Sequence, residues 1–154
     1  LVKDSLLEAY ENGENIEART NMLSAALMGA TAFQKGLGGI HALSHPIGAI
    51  YNTHHGTTNA VVMKKVLEFN KDYINIKIQT LSNFLDIENG FNGFTDFVEE
   101  LCNKLNIPKC LKDIGVEKNQ LELIASMAIV DPTASGNPRE LTFDNTLNLL
   151  KECL

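Results

Sequence analysis

Basic residues are in short supply in this chain: 13 Lys and Arg stand against 19 Asp and Glu, a formal net charge of −6. Binding to nucleic-acid phosphates needs a clustered basic face, and the short Lys64-Lys65 pair reads as a solvated helix face. Nucleic acid is therefore not an expected partner. No apolar run reaches the length of a membrane span, and the opening LVKDSLLEAYENG lacks the apolar stretch and small-residue cleavage site of a signal peptide. Cysteine is scarce as well: Cys102, Cys110 and Cys153 are an odd number at no ligand-like spacing, which reads as reduced thiols in a cytoplasmic protein. Also absent are internal repeats, low-complexity tracts and the disorder signature, since 44% of residues are hydrophobic and 21% charged.

What is present suits one globular domain over residues 1–154, a size that buries most of its apolar surface without staples. The chain opens on Leu1 within a helix-like pattern, which suggests processing or residues that precede it. Leu23, Ala26, Leu27, Ala30 and Phe33 recur at three- and four-residue steps, and Glu14 to Gln34 holds no proline, so a long buried helix is expected there. Gly36, Gly38 and Gly39 end it. A short apolar stretch, Ile40 to Tyr51, follows, interrupted by Pro46, which is tolerated in a first turn or at a kink. Asn52 and Thr53 are good helix N-caps, and a helix from His55 to about Asn70 is expected.

Further helices are expected at about 72–85, 94–105, 119–127 and 142–153. The alternating patch Tyr73-Ile74-Asn75-Ile76-Lys77-Ile78 has the period of a strand, but a lone strand has no partner, so helix is favoured. Asn89-Gly90, Asn106 to Pro108, Asp113 to Gly115 and Asp131 to Pro138 punctuate the connections. The expected architecture is all-α, a bundle of about seven or eight helices.

All four histidines, His41, His45, His54 and His55, fall within fifteen consecutive residues. His41 and His45 are four apart and share one face of a helix, while His54 or His55 comes from the next element. Neutral imidazoles ligate Fe, Zn, Cu or Ni, yet a stable centre needs three or four donors, and Glu68 sits on a stretch that serves equally as a solvent face. Spacing alone leaves two readings open: metal ligation, or capping and core roles.

The run Gly39-Ile40-His41-Ala42-Leu43-Ser44-His45-Pro46-Ile47-Gly48, followed by His54-His55-Gly56-Thr57-Thr58-Asn59-Ala60, resembles the signature of the iron-containing (group III) alcohol dehydrogenase family. In that signature G-x-x-H-x-x-x-H-x-x-G precedes a second His-Gly and an Asn-Ala helix start. Glu17-Ala18-Arg19, Met22, Ala32-Phe33, Asp131-Pro132, Asn137-Pro138-Arg139 and Thr142 extend the resemblance over nearly the whole chain. It implies the family's C-terminal helical domain, with His41 and His55 as metal ligands for Fe(II), or in some members Zn(II). His45 matches the non-ligand histidine near the nicotinamide, with a catalytic and cofactor-binding role. His54 matches no ligand and is given a structural or capping role. Phe33 resembles an aromatic of the substrate pocket, with simple core packing as the competing reading.

The chain also departs from the family. The other two ligands, an Asp and a His four residues later, lie farther upstream than the forty residues preceding His41, and Asp4 is followed at that spacing by Glu8. The nucleotide-binding domain is not among these residues, and Gly36-Leu37-Gly38-Gly39 lacks the strand-before-helix context of a dinucleotide fingerprint. The resemblance thus implies the metal-binding half of an NAD- or NADP-linked enzyme acting on a small alcohol or aldehyde, inactive as an isolated chain. Self-association, or pairing with the nucleotide-binding half, is the implied partnership. An inert helical interaction or scaffold module with the same fold is the alternative; removal of a partner domain predicts a large exposed apolar face, and self-association through it favours the scaffold or fragment reading. A histidine-based hydrolase is disfavoured, because no nucleophile sits in a recognisable elbow.

Overall fold

The computed structural model describes all residues from Leu1 to Leu154 and contains eight α-helices and no strands. It divides into two compact units, Leu1–Gly36 and Leu37–Leu154. The alternating patch at 73–78 is helical, as the lack of a partner strand required.

The smaller unit is a pair of helices, α1 (Val2–Glu11) and α2 (Ile16–Ala32). Asn15 caps α2 by accepting the Ala18 N–H at 3.0 Å, and its Nδ2 donates to Glu8 Oε1 at 2.9 Å. Asn21 Nδ2 donates to Ser5 Oγ across the pair at 3.1 Å. The helix forms where the periodicity placed it, but it is not buried. Only Ala18 on α2 is enclosed, whereas Ile16, Leu23, Leu27, Met28 and Phe33 are all more than half exposed. Periodicity marks an apolar face on a helix without requiring that anything cover it, and within this unit α2 packs only against the ten-residue α1. Phe33 is accordingly a surface aromatic, not a core one. Gly36 takes a left-handed φ of 91° at the end of this unit, as expected of a terminating glycine.

The larger unit holds α3 (Gly39–Tyr51), α4 (His55–Phe69), α5 (Lys71–Phe84), α6 (Gly90–Lys104), α7 (Leu121–Ala128) and α8 (Phe143–Cys153). Its core is built from Leu43 and Ile47 of α3, Val62 and Val66 of α4, Ile124 and Ala125 of α7, and Leu149, Leu150 and Cys153 of α8. Burial pushes the Cys153 thiol up to about 12, so it packs as a small apolar group, in keeping with a reduced cysteine. No helix is long and apolar enough to cross a membrane.

One local expectation is narrowed and another corrected. Pro46 sits in the middle of α3, which excludes the first turn from the two placements expected for it. It removes one backbone donor, but it is buried with its neighbours Leu43 and Ile47, and that packing holds the helix together. Asn52 does not cap the start of α4. It ends α3 in the left-handed conformation, φ 52° and ψ 37°, which asparagine tolerates better than any other non-glycine residue. His54 takes the N-cap instead, its Nδ1 accepting the Thr57 N–H at 3.3 Å, which accords with the capping role assigned to it.

The start of α3 is fixed from a distance. Gly39 donates its N–H to Asn137 Oδ1 at 3.0 Å. A Cβ at Gly39 would lie 2.9 Å from that oxygen and 3.2 Å from Val66 Cγ1, so glycine is required for the close approach. Asn137 also exchanges hydrogen bonds with Asn70, at 2.9 and 2.8 Å, and donates to the Arg139 carbonyl at 2.6 Å. The loop Asp131 to Pro138 is thereby clasped to the N-terminal end of α3.

Candidate metal centre

The structure brings three of the four histidines together. His41 and His45 project from successive turns of α3, and His55 from the first residue of α4, after a connector of only Asn52, Thr53 and His54. The ring centroids are 5.6 Å apart for His41 and His45, 5.2 Å for His41 and His55, and 5.7 Å for His45 and His55. His41 is half-buried, while His45 and His55 open to solvent. His54 points elsewhere, occupied by its cap.

His41 Nε2 and His55 Nε2 face a common atom, lying 3.5 and 3.1 Å from Asn59 Nδ2. An amide nitrogen only donates, so each ring accepts there in the tautomer that leaves its Nε2 bare. Neutral imidazole nitrogens converging on a point are what a divalent transition metal requires of two of its ligands. Burial, reinforced by the neighbouring His55 and His45 rings, holds the His41 pKa below the ordinary histidine value. Low basicity keeps the ring unprotonated and available as a donor. Asn59 Oδ1 is buried without a hydrogen-bond partner, a cost of about 1–3 kcal/mol for a neutral group. His41 and His55 fit a metal ion as two of its ligands. No group of three or more His, Cys, Asp or Glu side chains is arranged to hold one.

The third ring is committed differently. His45 Nδ1 lies 2.9 Å from Asp131 Oδ2. Asp131 Oδ1 accepts the Thr133 N–H at 2.8 Å and the Thr133 hydroxyl at 2.6 Å. Burial pushes the Asp131 carboxyl up, but the hydrogen bonds from Thr133 and His45 outweigh it and hold it below the usual carboxylate value.

Sequence reasoning found the three rings but assigned no role to Asn59, Asp131 or Thr133. Asn59 was legible in principle, because it follows His55 by four residues and therefore shares its face of α4. Asp131 carried no such signal, being 86 residues from its partner.

Paired imidazoles from adjacent helices and a third histidine bound to a carboxylate define the class as an all-α domain with a histidine-centred site. The chain belongs to the Fe-containing alcohol dehydrogenase family, whose C-terminal domain it matches over residues 1–154. It is 34% identical over 155 residues to 4-hydroxybutyrate dehydrogenase of Cupriavidus necator, an alignment covering 95% of this chain and 40% of that protein. It is 33% identical over 121 residues to lactaldehyde reductase of Escherichia coli K12, covering 74% of this chain and 32% of that protein. Among solved structures, 1,3-propanediol oxidoreductase superposes with a TM-score of 0.94 at 26% identity, covering 99% of this chain and 42% of that one. The chain therefore spans about two fifths of the length of such relatives.

Proposed function

We propose that residues 1–154 are the metal-binding helical domain of an iron-dependent, NAD(P)-linked alcohol dehydrogenase or aldehyde reductase, and that they have no dehydrogenase activity alone. The observation that carries this reading is the convergence of His41 Nε2 and His55 Nε2 on Asn59 Nδ2. His41 and His55 hold Fe(II), or Zn(II), and the remaining ligands and the nicotinamide site come from the nucleotide-binding half with which the domain pairs. A bound ion supplies Lewis acidity to the oxygen of a small alcohol or aldehyde. His45 stands beside both ligand rings, where it orients groups near the cofactor and takes up or returns the substrate's proton. The acidic balance of the chain and the absence of a membrane-crossing helix accord with a cytoplasmic enzyme.

Zn(II) titrated into the 154-residue chain is expected to shift the imidazole NMR signals of His41 and His55 first and to leave those of His54 in place. The His41→Ala, His55→Ala double variant is expected to lose the response. Equal responses from wild type and variant would refute the reading. Two ligands make a weak site, so saturation is expected only with metal in large excess.

A second reading, an inert interaction module, draws on a separate observation: the exposed apolar side chains of α2. Contiguous apolar surface of this kind marks an interface. On this reading the chain self-associates in sedimentation runs, and Leu23→Lys with Leu27→Lys makes it monomeric. A wild-type chain that is already monomeric across the concentration range counts against it.

A further inference from the structure

We infer that Asp131 is a positioning residue for His45: with Thr133 it fixes the ring in the tautomer that carries hydrogen on Nδ1 and leaves Nε2 as the proton acceptor. The tautomer follows from geometry alone; its use in catalysis rests on the reading above. An ionised carboxylate is acceptor-only, and Asp131 Oδ2 lies 2.9 Å from His45 Nδ1. The hydrogen between them must therefore belong to the ring. A neutral imidazole has one hydrogen, so Nε2 keeps its lone pair.

Thr133 makes the arrangement directional. Its backbone N–H is an obligatory donor, and it occupies Oδ1 together with the hydroxyl, at 2.8 and 2.6 Å. Oδ2 is left for His45, and the carboxyl cannot turn over without breaking both contacts. Asp131 retains 11% of its side-chain exposure against 40% for His45. The anion is thus the enclosed anchor and the ring the accessible working group.

The chemical consequence concerns where one proton goes. When an alcohol is oxidised by a nicotinamide, the carbon's C–H electron pair leaves as hydride to the oxidised nicotinamide and the C=O bond forms. The hydroxyl proton must pass to an acceptor. In this tautomer His45 Nε2 would be the ring atom free to accept it, with Asp131 holding the ring from the other side. With hydrogen on Nε2 instead, the ring offers no lone pair on that side.

The test is long-range nitrogen–proton correlation NMR on the 154-residue chain, without metal and at a pH where the spectrum itself shows the His45 ring to be neutral. In wild type, His45 should show a protonated Nδ1 and a bare Nε2. Asp131→Asn should invert this. The Thr133 donors keep the amide oxygen in the Oδ1 position, so the NH2 group faces His45 and Nδ1 has to accept. A role confined to holding the loop would leave the tautomer unchanged in this isosteric variant. Should Asp131→Asn fail to fold, the wild-type spectrum decides by itself, because a protonated Nε2 there overturns the inference. A failed Zn(II) titration with an intact wild-type tautomer would reject the metal-domain reading while leaving Asp131 its role on the ring.

Discussion

Replacing Asn137 by Ala is expected to destabilise the larger unit by about 3 kcal/mol, from four hydrogen bonds at roughly 1 kcal/mol each, partly offset by water entering the gap. The side chain is 9% exposed, and it serves the Gly39 N–H, both polar atoms of Asn70 and the Arg139 carbonyl. Truncation orphans the Gly39 N–H, the Asn70 amide nitrogen and the Arg139 carbonyl, while Asn70 Oδ1 keeps the Arg139 N–H at 3.3 Å. Arg139 is itself tied in, its guanidinium 4.2 Å from the Phe69 ring centroid and donating to the Phe69 carbonyl at 3.3 Å. Urea unfolding should show a midpoint lower by about 1–2 M, given typical slopes for a domain of this size. An unchanged midpoint would mean that the Asn70–Asn137 exchange is incidental to stability.

Gly136→Ala is the second large effect. A Cβ there would stand 1.9 Å from the Leu37 carbonyl oxygen and 3.1 Å from its carbon. Both sides of the contact are backbone, so no side-chain rotation relieves it. A loss of about 2–3 kcal/mol is expected, in the range of overpacked sites. The loop has to lift from α3, and Asp131 lifts with it. The variant should therefore lose the Nδ1-protonated signature of His45 as well as stability, a pairing that denaturant melts and ring spectra on one sample will reveal. Gly29→Ala is the control: it lies within α2 with nothing inside 4 Å, and alanine there should gain up to about 1 kcal/mol of helix propensity.

The helices were legible because their signal is local. Apolar spacing and capping residues located α4 through α8 to within a few residues, and the alternation at 73–78 was resolved correctly by asking what a strand there would pair with. Burial was less legible. The pattern of α2 was read as enclosure, but periodicity reports that a face is apolar, not that anything covers it. At Pro46 the sequence shows the lost backbone bond and not the core packing that offsets it. Within the site, His41, His45 and His55 were found because they are neighbours in sequence. Asp131, Thr133 and the Asn70–Asn137 clasp were not assigned roles, because the contacts that define them form only when a loop near the end of the chain folds back onto α3.

The connector between α3 and α4 sets a length standard for the whole centre. It is three residues long, bent at left-handed Asn52 and tied down where Thr58 Oγ1 meets Thr53 Oγ1 at 2.7 Å. Each residue advances a helix by about 1.5 Å and turns it by about 100°, while buried Thr58, Val61, Val62 and Val66 hold α4 in register with the core. A residue inserted between Asn52 and His55 is expected to break the left-handed turn or the Thr53–Thr58 contact, and with it the fit of the connector between two helices held by the core. The placement of His55 beside His41 therefore rests on the length of this connector as much as on its side chains.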